Sequence, residues 1–208
     1  MYRQVKTTPR KRPRQARSRA TVDTILQASA RVLVRRGFDG FTTNEVAAAA
    51  GVSIGSLYQY FPNKEALVAA LIFRHIEEMN QAIFSELTRV ALLPMPQAVR
   101  AVIELTFRAH AIDPELHQVL TEQVPRVGRL AKLRELDGIS QRMVAGLLAA
   151  RRSELAIRDP EVAAFVIVSA IEAIIHRAAL LSPERLRDPR LQEEATALVT
   201  RYLGVADG

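Results

Sequence analysis

From residue 22 onward the chain repeats apolar side chains at helical spacing. Val22, Ile25, Leu26, Ser29, Val32 and Leu33 follow the i, i+3, i+4, i+7 rhythm of one helix face. Gly37, just after Arg35 and Arg36, predicts the end of this first helix: glycine accepts the left-handed cap, and basic groups in the last turn complement the helix dipole. Thr42-Thr43-Asn44-Glu45 fits a capping box and opens a short second helix, Val46 to Ala50, which Gly51 breaks. Ser53 is placed to cap a third helix, Ile54 to Tyr60. Pro62 stops it, because the residue before a proline avoids helical angles. Asn63 is placed to cap a long fourth helix, with Leu67, Leu71, Ile72, Ile76, Met79, Ile83 and Leu87 along its inner stripe.

Beyond residue 90 the pattern stays helical. Prolines at 94, 96, 114, 125, 160, 183 and 189 mark joints. The helices they delimit are expected at about 96–111, 114–124, 127–152, 160–181 and 189–203. The expected fold is all-α with about nine helices: an N-terminal three-helix head and a C-terminal helical body. Neither a strand pattern nor an internal repeat stands out. The organisation expected is a flexible basic arm over 1–19, a head over 20–66 and a body over 67–208.

Composition narrows the classes. Of 208 residues, 49% are hydrophobic, enough to build a core. The chain has no cysteine, which excludes disulfides and thiolate zinc sites and fits a reducing cytoplasm. The longest apolar region, Val162 to Ile175, is interrupted by Ser169 and Glu172. No run is expected to reach the roughly 20 residues that span a bilayer. The N-terminus lacks the apolar segment of a secretory signal.

Net charge is +7, and its distribution says more than its size. Arg3, Lys6, Arg10, Lys11, Arg12, Arg14, Arg17 and Arg19 lie in the first 20 residues with no acid among them; the remainder carries 21 basic and 22 acidic groups. A basic arm on a near-neutral body points to a polyanion, either nucleic acid or an anionic membrane surface. The membrane option lacks the apolar half of an amphipathic anchor.

Two short helices joined by a tight glycine turn form the minimal helix-turn-helix. Ala47 to Ala50 are all small and let the second and third helices approach closely. The third helix is polar on one side, with Ser53, Ser56, Gln59 and Tyr60, and offers Ile54, Leu57 and Phe61 to a core on the other. A helix lying in a major groove is built this way, and so is an ordinary three-helix packing unit with one wet face. Gly55 leaves the backbone open to phosphate, and Tyr58 and Tyr60 bring hydroxyls. Lys64 stands in the first turn of the fourth helix, where its ammonium and the unpaired N–H groups of that end suit a phosphate.

The stretch TTNEVAAAAGVSIGSLYQYFPNKEAL, residues 42–67, closely resembles the signature of TetR-family transcriptional regulators, as does its lead-in TVDTILQASARVLVRRGFDGFTT, residues 21–43. The rest matches only in length and helical character. The resemblance implies a two-fold dimer of nine or so helices, bound to a double-stranded DNA operator through the first three. It implies pairing through the last two helices, and a small-molecule effector whose binding shifts the fourth helix and releases the operator. Carried onto matching positions, it implies that Thr43 binds phosphate at the start of the second helix. Ser53, Gly55 and Ser56 then face the groove or its backbone, Tyr58 and Tyr60 contact phosphate and base edges, and Lys64 binds phosphate. Leu57 and Phe61 are packing residues in this pattern. The arm is longer than the family's usual lead: Arg12, Arg14, Arg17 or Arg19 either reaches an adjacent minor groove or acts as an unspecific tether.

In the body, the helix over about 160–181 is apolar on most of its surface, so it needs cover on two sides. With Leu191, Ala195, Leu198 and Tyr202 of the helix over 189–203, it is expected either to pair with a second copy or to lie inside a monomer. His110, His117 and His176 lack the spacing of a metal motif and read as helix-surface or core groups; no metal or cofactor is expected. Phe84, Phe107, Leu116 and Leu120 either line an apolar pocket or, as helical apolar residues more often do, form plain core. The expected function is a ligand-responsive regulator, most simply a repressor, and not an enzyme. The alternative, a helical enzyme or sensor that kept a DNA-binding head, would need a nucleophile beside a base, and no such spacing is visible.

Overall fold

The computed structural model describes residues 16–127 and 131–205, with side chains placed over 18–121 and 138–205. Nine α-helices follow one another among the described residues: α1 Ala16–Gly40, α2 Thr43–Ala50, α3 Ile54–Tyr60, α4 Lys64–Val90, α5 Met95–His110, α6 Pro114–Val127, α7 Ala131–Ala150, α8 Pro160–Leu181 and α9 Pro189–Leu203. Short 3-10 turns at Arg152–Glu154 and Pro183–Arg187, not expected from the sequence, precede α8 and α9. The chain divides into two compact units, residues 1–76 with 115–130 and residues 77–114 with 131–208. The division falls inside α4, and α6 groups with the head.

In the first unit most of the α1 stripe is buried as its spacing predicts: Ile25, Leu26, Val32 and Leu33 enter the core, Val22 is half-buried, and Ser29 is buried by donating its hydroxyl to the Ile25 carbonyl at 2.8 Å. That bond lets a polar side chain sit dry. Gly37 does break the helix, but at φ 63°, ψ 178° rather than in a left-handed cap. This region is essentially closed to residues with a Cβ. A further turn to Gly40 follows the break. Arg35 and Arg36, the last residues before it, clasp Glu45 of α2 at 2.8 and 3.2 Å. The first helix also starts earlier than expected, at Ala16. Arg17 and the exposed Arg19 therefore belong to α1, while Arg12 and Arg14 lie outside the described residues.

The second unit has its own core. α5 packs against α9 and α7 against α8, burying Val99, Phe107, Leu148, Ile171, Ile175 and Leu203 together. Asp159 caps α8 by accepting the N–H groups of Glu161 and Val162, and Asp188 caps α9 by accepting that of Arg190. Each is followed by proline at the first helical position, where no N–H is needed. Pro125 departs from expectation: α6 continues past it to Val127. α8 keeps the bounds expected of it, but its 22 residues make it long and apolar enough, by length and composition, to cross a membrane, despite the interruptions at Ser169 and Glu172. In the fold its Ala163, Ile167, Ile171, Ile175 and Ala179 are packed in this unit's core, while Val162, Phe165, Val166, Leu180 and Leu181 are exposed.

Candidate nucleic-acid interface

The segment from Thr42 to Ala66 is held by local chemistry at every joint. Thr42, extended at φ −124°, accepts the Glu45 N–H and starts α2. The Glu45 carboxylate, which a capping box would turn back on Thr42, is taken by Arg35 and Arg36. The Arg36 hydrogen bond first, then the one from Arg35, holds its carboxyl below the usual carboxylate range, against a desolvation that pulls the other way. Gly51 ends α2 in the left-handed region, φ 66° and ψ 29°, and its N–H reaches the carbonyls of Ala47 and Ala48. A non-glycine residue would be strained there. Ser53 caps α3 by accepting the Ser56 N–H at 3.1 Å. Phe61, extended ahead of Pro62, closes it. Asn63 then accepts the Ala66 N–H at 2.8 Å and opens α4.

α3 is anchored on one side. Leu57 and Phe61 are fully buried. Ile54, expected beside them, is 38% exposed and belongs to the outer surface. With only seven residues, α3 has room to bury little more than one turn's side chains. Ser53, Gly55, Tyr58 and Gln59 are exposed, and Thr43, Ser56 and Tyr60 are half-buried.

Four of the predicted site residues gather into two pairs. The Thr43 and Tyr58 hydroxyls lie 3.1 Å apart, joining the start of α2 to the middle of α3. The Ser53 and Ser56 hydroxyls lie 2.8 Å apart at the start of α3. Gly55 has open space where a Cβ would stand, the nearest atom being the Ser53 Oγ at 3.9 Å, so the fold itself does not require glycine there. Lys64 is turned inward. Its ammonium donates to the Phe38 carbonyl at 3.1 Å and sits 4.3 Å from the centre of the Phe38 ring. Phe38 is the partner that helical periodicity missed; the aromatic residue directly after Gly37 was its only signal. His75 was also missed. It is buried with its Nε2 3.0 Å from Nδ1 of His117, itself buried, so His117 is a core group.

In the second unit His110 is buried, with Nδ1 2.8 Å from the Thr106 carbonyl and its ring edge-on to His176. A cavity there is lined by residues of α4, α5, α7, α8 and α9, and Phe84, Phe107, Leu116 and Leu120 are not among them. Phe107, Leu116 and Leu120 are buried, as the core reading has it, and Phe84 is 37% exposed.

Comparison with known proteins decides between a packing unit and a DNA-binding head. Residues 25–71 match the family model for bacterial regulatory proteins of the tetR family, and residues 94–203 match the tetracyclin repressor-like C-terminal domain. The chain belongs to the TetR family. It is thus a helix-turn-helix, DNA-binding transcriptional regulator, from a family of regulators rather than enzymes. TetR-family regulators bind DNA operators and small-molecule ligands, typically as dimers. The chain is 30% identical over 146 residues to the HTH-type transcriptional regulator Rv1255c of Mycobacterium tuberculosis, covering 69% of this chain and 67% of the relative. Its fold is similar to that of a TetR-family regulator from Mesorhizobium loti, with TM-score 0.75 and 21% identity over 91% of this chain and 98% of that one. It is also similar to SmeT, the repressor of the Stenotrophomonas maltophilia multidrug efflux pump SmeDEF, with TM-score 0.69, 23% identity and coverage of 92% and 93%. SmeT has also been solved with triclosan.

Proposed function

We propose that this TetR-family regulator is a cytoplasmic repressor, released from a near-palindromic operator by a small-molecule inducer. One observation carries the DNA-reading role: α3 offers Ser53, Gly55, Tyr58 and Gln59 outward while Leu57 and Phe61 clamp it from behind. A rigid short helix with one polar side docks in a major groove at little entropic cost, since its rotamers and backbone are already set. Ser53 and Ser56 face base edges or the adjoining backbone, and Gly55 lets the backbone close on a phosphate. Thr43 and Tyr58 share one phosphate through their paired hydroxyls, and Tyr60 takes a neighbouring one. Lys64 keeps two N–H groups beyond its bond to Phe38 and turns them to phosphate.

A homodimer through α8 and α9 supplies the second head. Val162, Phe165 and Val166 of α8 and Leu198 and Tyr202 of α9 are 40–58% exposed on one copy, an apolar expanse that a second copy covers. Two-fold symmetry makes the operator palindromic, with half-sites about 34–36 Å apart. The repressor role and the inducer rest on likeness to SmeT, named as a repressor and solved with triclosan.

Selection of duplexes from a random pool by the purified chain tests the reading. The expected yield is a near-palindrome, bound with an affinity that falls steeply with salt. Enrichment of no sequence, together with an affinity equal to that for random duplex, refutes it.

A further inference from the structure

Within the second unit, a cavity of about 80 Å³ lies among the last residues of α4 and parts of α5, α7, α8 and α9. Val90, Val99, Val102, Leu147, Leu148 and Val199 are among its walls, and among the described residues Arg151 is the one polar side chain that reaches it. Arg151 is not an open cation. Its Nε donates to Glu154 at 3.0 Å and its Nη1 to the Leu93 carbonyl at 2.8 Å. Nη2 is used in neither bond.

The chemistry of these walls selects an occupant. A water molecule in such a space needs two to four polar partners, and hydrocarbon offers none, so the cavity favours apolar contents. A carboxylate could also take the spare Nη2, but it would meet a guanidinium already neutralised by Glu154 and lose its own hydration among valines and leucines. An ammonium would meet the guanidinium with no counter-charge of its own. A neutral molecule avoids both penalties, and a single acceptor atom on it can take the spare Nη2 donor. Size narrows the class further. An apolar cavity of about 150 Å³ admits benzene, so this one holds a single ring only with some yielding of its walls. Met95 is the side chain suited to yield, being unbranched and flexible.

We infer that this cavity seats the effector, and that the effector is an uncharged, hydrocarbon-rich small molecule with a single ring or short chain and one hydrogen-bond acceptor directed at Arg151. The word effector rests on the regulator reading above; the choice of ligand class rests on the cavity alone.

The test uses the full chain and four probes of one shape: toluene, benzyl alcohol, benzoate and benzylamine. Thermal shift and calorimetry at neutral pH should register toluene and benzyl alcohol, and neither charged probe. Ala98→Leu, which fills the cavity, should abolish both neutral responses; Val144→Met makes the same test if the first variant does not fold. Arg151→Leu should weaken benzyl alcohol about tenfold and leave toluene unchanged, because only the alcohol has an acceptor. Binding of benzoate or benzylamine as tightly as the alcohol overturns the inference. So does silence from both neutral probes, retention of binding in the filled variant, or an equal loss of toluene and alcohol in Arg151→Leu. Duplex binding, measured separately without probes, keeps the two readings apart. Probe failure with duplex recognition intact sinks this inference alone, whereas loss of duplex recognition with intact probe binding sinks the regulator reading.

Discussion

Removing one oxygen atom from Tyr58 separates recognition from folding. In Tyr58→Phe the ring remains and the hydroxyl, 3.1 Å from that of Thr43, is gone. The side chain is 39% exposed, so water replaces the lost hydrogen bond and stability should fall by about 0.5 kcal/mol at most. In the proposed complex with DNA the same hydroxyl would donate to a charged phosphate oxygen in a desolvated interface. Hydrogen bonds to charged groups are worth roughly 1.5–3 kcal/mol, which is about ten- to a hundredfold in affinity. Because tyrosine is uncharged, no counterion is released on its account, and the slope of log affinity against log salt should stay unchanged. Thr43→Val should behave alike, and the double variant should cost less than the sum if, as proposed, both hydroxyls serve one phosphate. Fluorescence anisotropy with the selected operator across a salt series, beside urea unfolding, reads all of these quantities. An affinity within twofold of the parent, or a loss in stability as large as the loss in binding, would refute the reasoning.

Other substitutions probe the remaining joints. Lys64→Met should lower stability by about 1–2 kcal/mol through loss of the Phe38 carbonyl bond and the ring contact. It should also reduce the salt slope by about 0.9; a lowered melting temperature with an unaltered slope would leave Lys64 as a brace only. Phe165→Asp, at an exposed apolar position of α8, should shift the chain from dimer to monomer in sedimentation and leave the helical content intact. An unchanged sedimentation coefficient excludes that face as the interface. For Glu45 the sign runs with the depressed folded pKa. Its pairing with Arg36 and Arg35 stabilises fully above the unfolded carboxylate pKa, and the contribution is lost as pH falls through the folded value. Glu45→Gln should therefore be less stable than the parent at neutral pH, by a small margin because both arginines are exposed, and should converge with it in acid. Parallel pH profiles of the two proteins would contradict this.

What the sequence determined by itself is local. Caps and breaks are written in neighbouring residues: Thr42, Gly51, Ser53, Pro62 and Asn63 each act within a few positions, and each stands where periodicity and turn chemistry place it. The buried stripe of α1 and the anchor pair Leu57 and Phe61 were legible for the same reason, since burial follows a 3.6-residue repeat. Long-range partners are not written that way. Nothing in the spacing told Lys64 to settle on Phe38, 26 positions away, or Glu45 to leave its own cap for two arginines. Nor did it tell Ile54 to face outward. The cavity beside Arg151 belongs to the same class, because a void is the shape left between several helices and no single one of them encodes it. Hydrogen bonds along a helix are settled by adjacent residues, whereas the choice among competing distant partners waits until the chain has brought them into reach.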